Sequence, residues 1–206
     1  MSYICLMVND EGAVAAADSR ESFANLAHFD WLRKAYAVPE RDLVFCCCGP
    51  SFRFGVPIFK RAAAELRRSR GTIEEQLRRI GTLADRLTAV RFPGERPGVF
   101  VILAARWEDN GFTVYNFWTE DGRQQLQRRR VRKGQPVSLH AGAWHHEMPP
   151  LPPCELAGLS FDALRERARE RVALAIRKDE ERKAKNRRHN QTIGGPVHTC
   201  GIRVKR

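Results

Sequence analysis

Ser2 is the residue whose type and place most directly permit chemistry. An initiator methionine is normally trimmed before a small residue, and loss of Met1 leaves Ser2 with a free α-amine beside its hydroxyl. An α-amine has a pKa of roughly 7.7 to 8, so near neutral pH a good share of it can accept a proton. On the same residue as a hydroxyl it is a built-in base, able to activate that hydroxyl directly or through one water. Such a pair also needs a positive neighbour and a donor facing the oxyanion that forms on the attacked carbonyl. Ser2 read alone is equally a plain terminal residue with Met1 retained.

The elements that must position these groups are legible from turn chemistry and periodicity. Ser2 to Val8 and Ala13 to Asp18 read as strands joined by the turn Asn9-Asp10-Glu11-Gly12. Lys34 to Val38 and Leu43 to Cys48 read as a second hairpin, ended by Gly49-Pro50. The period then becomes helical: Ile58, Ala62 and Leu66 define one helix, and Ile73, Leu77, Ile80, Ala84 and Leu87 a second. Gly71 separates them, and Thr72 with Glu75 forms a capping box. Gly98 to Trp107, Phe112 to Trp118 and Gln124 to Val131 return to strand composition as a meander. Phe161, Leu164, Ala168, Val172 and Ile176 mark a third helix whose far end has almost no apolar face. Gly194-Gly195 and a strand from Val197 to Val204 follow. Antiparallel strands with apolar faces and helices delivered in pairs predict a layered α+β domain with two sheets between helix layers.

Composition excludes several classes. A chain of 206 residues suffices for one domain, and no composition break demands two. No basic region precedes an apolar run at the start, and no stretch approaches the roughly 18 apolar residues of a membrane span, so a soluble cytoplasmic protein is expected. Six cysteines include the adjacent Cys46, Cys47 and Cys48, which cannot all pair with normal disulfide geometry; free thiols are expected. There is no Cys-x-x-Cys, and His145-His146 stands alone, so neither metal nor cofactor is expected. The net charge of +12 gathers in Arg128-Arg129-Arg130, Arg132-Lys133 and the run from Arg177 to Arg188. Aromatics are not interleaved with these runs as a stacking surface for nucleic acid requires, so a solvated basic face is the expected role.

Ser2, the segment Gly12-Ala13-Val14-Ala15-Ala16-Ala17-Asp18-Ser19-Arg20, then Lys34, then Cys48-Gly49 looks like the proteasome β-subunit and its HslV-type bacterial relatives among the N-terminal-nucleophile hydrolases. Counted from Ser2, the aspartate and lysine of that pattern fall on Asp18 and Lys34 without a gap, and its glycine on Gly49 with one extra residue. The resemblance implies a four-layer αββα sandwich over residues 1–206 as one domain. It also implies that Ser2 attacks an amide carbonyl, that Lys34, kept charged by Asp18, lowers the hydroxyl pKa, and that the Gly49 N–H faces the oxyanion. Glu21, Leu32, Tyr36 and Cys47 carry over as a substrate-binding wall, with Cys47 facing the pocket. A peptide or protein substrate, a homo-oligomeric ring and an ATPase or unfoldase partner are implied with them. The Ser2-Tyr3 start is similar to bacterial ancestral-β-subunit proteins and the length to simpler bacterial peptidases, so no subgroup follows.

The pattern is also incomplete. Where such proteins carry an aspartate and a serine before the glycine pair, this chain has Asn190 and Ile193; His140-Ala141-Gly142 stands where a serine-bearing loop is expected. Each matched residue also has a plainer use, Asp18 as a turn cap, Lys34 as surface charge and Gly49 as a bend before Pro50. A non-catalytic structural subunit with a vestigial site, or a basic binding module, are the alternatives.

Overall fold

The structure is a computed structural model that describes residues 2–22, 28–49, 52–53, 56–68, 71–89, 99–120, 122–144, 146–186 and 193–204. Tyr3–Asn9 (β1) and Gly12–Ala17 (β2) form the expected first hairpin. Every side chain of both strands is buried, as two-sided apolar strands require cover on both faces. Two short ladders, Glu21–Ser22 (β3) with His28–Phe29 (β4) and Phe52–Arg53 (β7) with Val56–Pro57 (β8), were not foreseen. Between them Ala35–Val38 (β5) and Leu43–Cys48 (β6) pair around a single 3-10 turn at Pro39–Arg41.

Ile58–Arg67 (α1) and Ile73–Ala89 (α2) bury the stripes their periodicity predicted, and Thr72 and Glu75 exchange capping bonds of 2.9 and 3.2 Å. The Leu87 side chain lies outside the described residues. The meander comprises Phe100–Glu108 (β9), Gly111–Glu120 (β10) and Arg123–Val131 (β11). Val137–Gly142 (β12) is an additional strand that takes in His140-Ala141-Gly142, expected as a loop. Its pairing with β1 decides its conformation, and a six-residue segment of modest apolarity does not announce that partner. A short helix, Pro153–Leu156 (α3), precedes Phe161–Lys185 (α4), which Ser160 caps by accepting from the Ala163 N–H at 3.2 Å. His198–Arg203 (β13) ends the described chain.

Apart from the two short ladders, the described strands make two antiparallel sheets, one in the order β12-β1-β2-β13 and one in the order β11-β10-β9-β6-β5. Strand alternation divides the apolar side chains among three clusters. Ile4, Leu6, Val8 and the odd-numbered alanines of β2 meet Val44, Cys46, Leu103 and Val114 from the other sheet. Tyr3, Cys5, Met7, Val14 and Ala16 face Leu164, Ala168, Val172 and Ala175 of α4. Phe45, Cys47, Ile102, Tyr115 and Phe117 face α1 and α2. Among the described residues no helix is long and apolar enough to cross a membrane, and no group of metal-ligating side chains could hold an ion. All six cysteines are free thiols.

Candidate active site at the strand ends

Four strand ends converge. Ser2 precedes β1, Asp18 follows β2, Lys34 precedes β5 and Gly49 follows β6, so the ladders that fix the sheets also fix these residues. The Cys47 N–H donates to the Lys34 carbonyl at 2.9 Å, extending the β5–β6 ladder to the lysine itself. Ser2 is 4% exposed, and Asp18 and Lys34 are fully buried.

Lys34 Nζ donates to Ser2 Oγ at 2.7 Å, to Asp18 Oδ2 at 2.9 Å and to the carbonyl of Arg20. These contacts use all three ammonium protons. Asp18 Oδ1 accepts from the Tyr3 N–H at 2.9 Å and Oδ2 accepts from the Arg20 N–H at 3.1 Å as well as from Lys34. Burial pushes the Asp18 carboxyl above its ordinary pKa, while the Lys34 ammonium and the two backbone donors pull it back down.

Two glycines shape the surroundings. Gly49 sits at φ 118°, and a Cβ there would stand 2.6 Å from the Val99 carbonyl oxygen, so the bend admits only glycine. Gly142 sits at φ 98°, where a Cβ would fall 1.8 Å from the Ser2 carbonyl oxygen. That close approach lets the next N–H, of Ala143, donate to the same oxygen at 2.9 Å. On the other side the Gly194 carbonyl accepts from the N–H groups of Ser19 and Arg20 at 3.2 and 3.1 Å. Arg20 is itself held by a two-pronged ion pair to Asp30 at 2.7 and 2.8 Å.

A cleft of about 570 Å³ opens at Ser2. Cys48, Gly49, Trp118, Glu120, His140 and His146 are among its lining residues. Of the residues expected to form a substrate wall, Leu32 and Cys47 lie buried in the cluster that faces α1 and α2, and half-buried Tyr36 packs against it, stacked on Phe45 with ring centroids 5.2 Å apart. Cys47 points into that cluster and its neighbour Cys48 lines the cleft, because successive strand residues face opposite ways. Glu21 pairs with Phe29 through the backbone, and its side chain lies outside the described residues. Burial drives the Cys46 and Cys47 thiols well above the ordinary range and the Cys48 thiol up to about 12, so none is suited to act as a thiolate.

Asn190 lies outside the described residues. Ile193 is buried, and its N–H donates to Asp179 Oδ2 at 3.1 Å. Asp179 gave no sign of itself in the sequence: it lies in the charged run Arg177-Lys178-Asp179-Glu180-Glu181-Arg182 and is nonetheless 1% exposed.

No protein-family model matches the chain, and no curated protein matches it. What the two sheets and their flanking helices share with proteins already solved is a proteasome-related fold. The solved structure described as Anbu (ancestral beta-subunit) from Yersinia bercovieri is similar over 98% of this chain and 81% of that chain, with a TM-score of 0.56 and 15% sequence identity. At that identity the likeness is one of fold. The expected membership of the proteasome β-subunit and HslV-type family is therefore corrected: the sequence matches no family, and only the fold is related.

Proposed function

We propose that the protein is an N-terminal-nucleophile amide hydrolase in which Ser2, exposed by cleavage of the chain immediately before it, attacks a peptide carbonyl. The observation that carries this reading is the 2.7 Å donation from the buried Lys34 ammonium to Ser2 Oγ. A cation donating to a hydroxyl favours its alkoxide, lowering the pKa of the nucleophile. With all three of its protons donated, Lys34 has no lone pair for general-base work, which leaves that role to the freed α-amine of Ser2.

The amine takes the hydroxyl proton as Oγ bonds to the carbonyl carbon, and the carbonyl oxygen becomes an oxyanion facing the Gly49 N–H. Collapse breaks the C–N bond, and the α-amine returns its proton to the leaving amine. Water then adds to the acyl ester, with the amine again as base, releasing the carboxylate and restoring Ser2. The cleft beside Ser2, lined by Cys48, Gly49, Trp118 and His140 among others, has room for substrate residues. The three apolar clusters support reading the chain as one domain with four αββα layers. The similar solved protein is named a beta-subunit, and by analogy a homo-oligomeric ring is assigned here, with a peptide or protein substrate.

A second reading, a structural subunit that does no chemistry, is favoured by one observation: buried Ile193 offers the site neither charge nor hydroxyl. Intact mass together with an epoxyketone, which requires both an α-amine and a hydroxyl on one residue, separates the two. A chain beginning at Ser2 should gain one adduct that is lost in Ser2→Ala. A processed chain that gains none, and whose Ser2→Ala variant acts identically on peptide substrates, makes the protein a structural subunit.

A further inference from the structure

We propose that Asp179 is a positioning residue that clamps both backbone supports of the Ser2 site from helix α4; the assignment rests on the reading of Ser2 as nucleophile. Its two carboxylate oxygens serve two different loops. Oδ1 accepts from Trp144 Nε1 at 3.3 Å, and Oδ2 accepts from the Ile193 N–H at 3.1 Å.

Each loop reaches the site within one residue. Trp144 follows Ala143, whose N–H donates to the Ser2 carbonyl at 2.9 Å. Ile193 precedes Gly194, whose carbonyl receives the N–H groups of Ser19 and Arg20 at 3.2 and 3.1 Å. Arg20 then donates its N–H to Asp18 Oδ2, and its carbonyl accepts from Lys34 Nζ. One carboxylate thus fixes the nucleophile's own backbone on one side and the acceptors of its lysine on the other.

The Trp144 conformation indicates that the clamp is under load. Its φ of 68° is left-handed, which a bulky side chain adopts only where the surroundings determine it. Helix α4 supplies those surroundings twice: Asp179 holds the indole edge, and the Arg182 guanidinium, nearly one helical turn further along, lies 4.8 Å over the ring. Asparagine at 179 has a single acceptor oxygen and can serve only one of the two loops.

The test follows backbone amide exchange and nucleophile reactivity in the full chain. In Asp179→Ala, exchange at Ala143, Ser19, Arg20 and Ile193 is expected to rise about tenfold or more while β9 and β10 keep their protection. The rate of epoxyketone adduct formation should fall on the order of 10- to 100-fold, with the loss in kcat rather than KM for a peptide substrate. Unchanged exchange at those amides, or loosening shared equally with β9 and β10, overturns the clamp. Should Asp179→Ala fail to fold, Trp144→Phe removes the indole donor and leaves the Ile193 bond to Asp179 in place: Ala143 must exchange faster while Ile193 stays protected, and uniform protection at both overturns the proposal. A wild-type chain that forms no adduct counts against the nucleophile reading alone, since the exchange pattern still decides the clamp.

Discussion

Lys34 reaches Ser2 Oγ across 2.7 Å from a side chain with no exposure to solvent. A buried ammonium persists only where its charge and its protons are met, and here Asp18, the Arg20 carbonyl and the serine hydroxyl meet them. The arrangement depends on four strand ends arriving together, so the sheet register and the polarity of the site are one problem for folding.

Removing both charges should therefore cost less than the sum of removing each. Lys34→Met leaves the Asp18 carboxylate buried without its counter-charge, and a loss of about 3–5 kcal/mol is expected. Asp18→Asn removes a charge whose own burial is costly, so its loss is expected to be smaller. The double variant should recover part of the sum, with a coupling of about 1–3 kcal/mol in a four-chain urea-unfolding cycle. Strictly additive losses would show that the pair is not coupled. On the chemical side, Lys34→Met is expected to slow amide hydrolysis on the order of 100-fold or more, the scale of losing one preorganised donor.

Asp18 also sets a pH dependence. Burial raises its pKa from the ordinary 3.8, so acidification protonates it sooner than a solvated aspartate. Neutral Asp18 no longer balances Lys34, and the acid limb of the hydrolysis profile is expected to lie above pH 3.8. The stability contribution has the opposite sign. Because the folded state binds this proton more tightly, the contribution is complete below pH 3.8 and is lost as pH rises through the raised value. Subtracting the unfolding free energy of Asp18→Asn from that of the wild type across this window isolates the slope; a difference that rises with pH there contradicts it.

The residues legible in the sequence are those whose neighbours in space are also close in turn chemistry. Ser2, Asp18, Lys34 and Gly49 each stand at the end of a strand that its own hairpin announces, so their places in the fold were legible, while their selection as a group came from the resemblance and not from type and spacing alone. The cleft wall was not legible, because Trp118, Glu120 and His140 come together only when β10 and β12 have found their places in different sheets. The facing of Cys47 and Cys48 turns on strand phase, which a run of three identical side chains cannot reveal. Asp179 was hidden for a similar reason: in a run of charges, burial of one is decided by the return of residues 193–195, far along the chain.

The cysteines offer a direct check on the burial of β6 and its neighbours. Cys154 is exposed, whereas Cys5, Cys46, Cys47 and Cys48 are buried. Burial pushes the Cys5, Cys48 and Cys200 thiols up to about 12, and Cys46 and Cys47 well above the ordinary range. Iodoacetamide reacts with the thiolate, so at pH about 8 the native protein should gain one fast label, on Cys154, and six after denaturation. Rapid labelling of Cys48 in the native chain would mean that the end of β6 opens to solvent.

Gly142 gives the most local test of how Ser2 is held. A methyl group at this position would lie 1.8 Å from the Ser2 carbonyl oxygen, and the residue's φ of 98° disfavours any side chain. Backbone must therefore move in Gly142→Ala, either the end of β12 or the start of β1, and the Ala143 N–H bond to Ser2 at 2.9 Å is the first casualty. The strained φ alone costs about 1–3 kcal/mol, a loss measurable by thermal unfolding. Gly134, also at positive φ but with nothing within 4 Å of its Cβ position, serves as the control. Gly134→Ala should pay only the conformational penalty and leave epoxyketone reactivity at Ser2 unchanged, while Gly142→Ala should lose both stability and reactivity. Equal reactivity in the two variants would show that the close approach at Gly142 does not position the nucleophile.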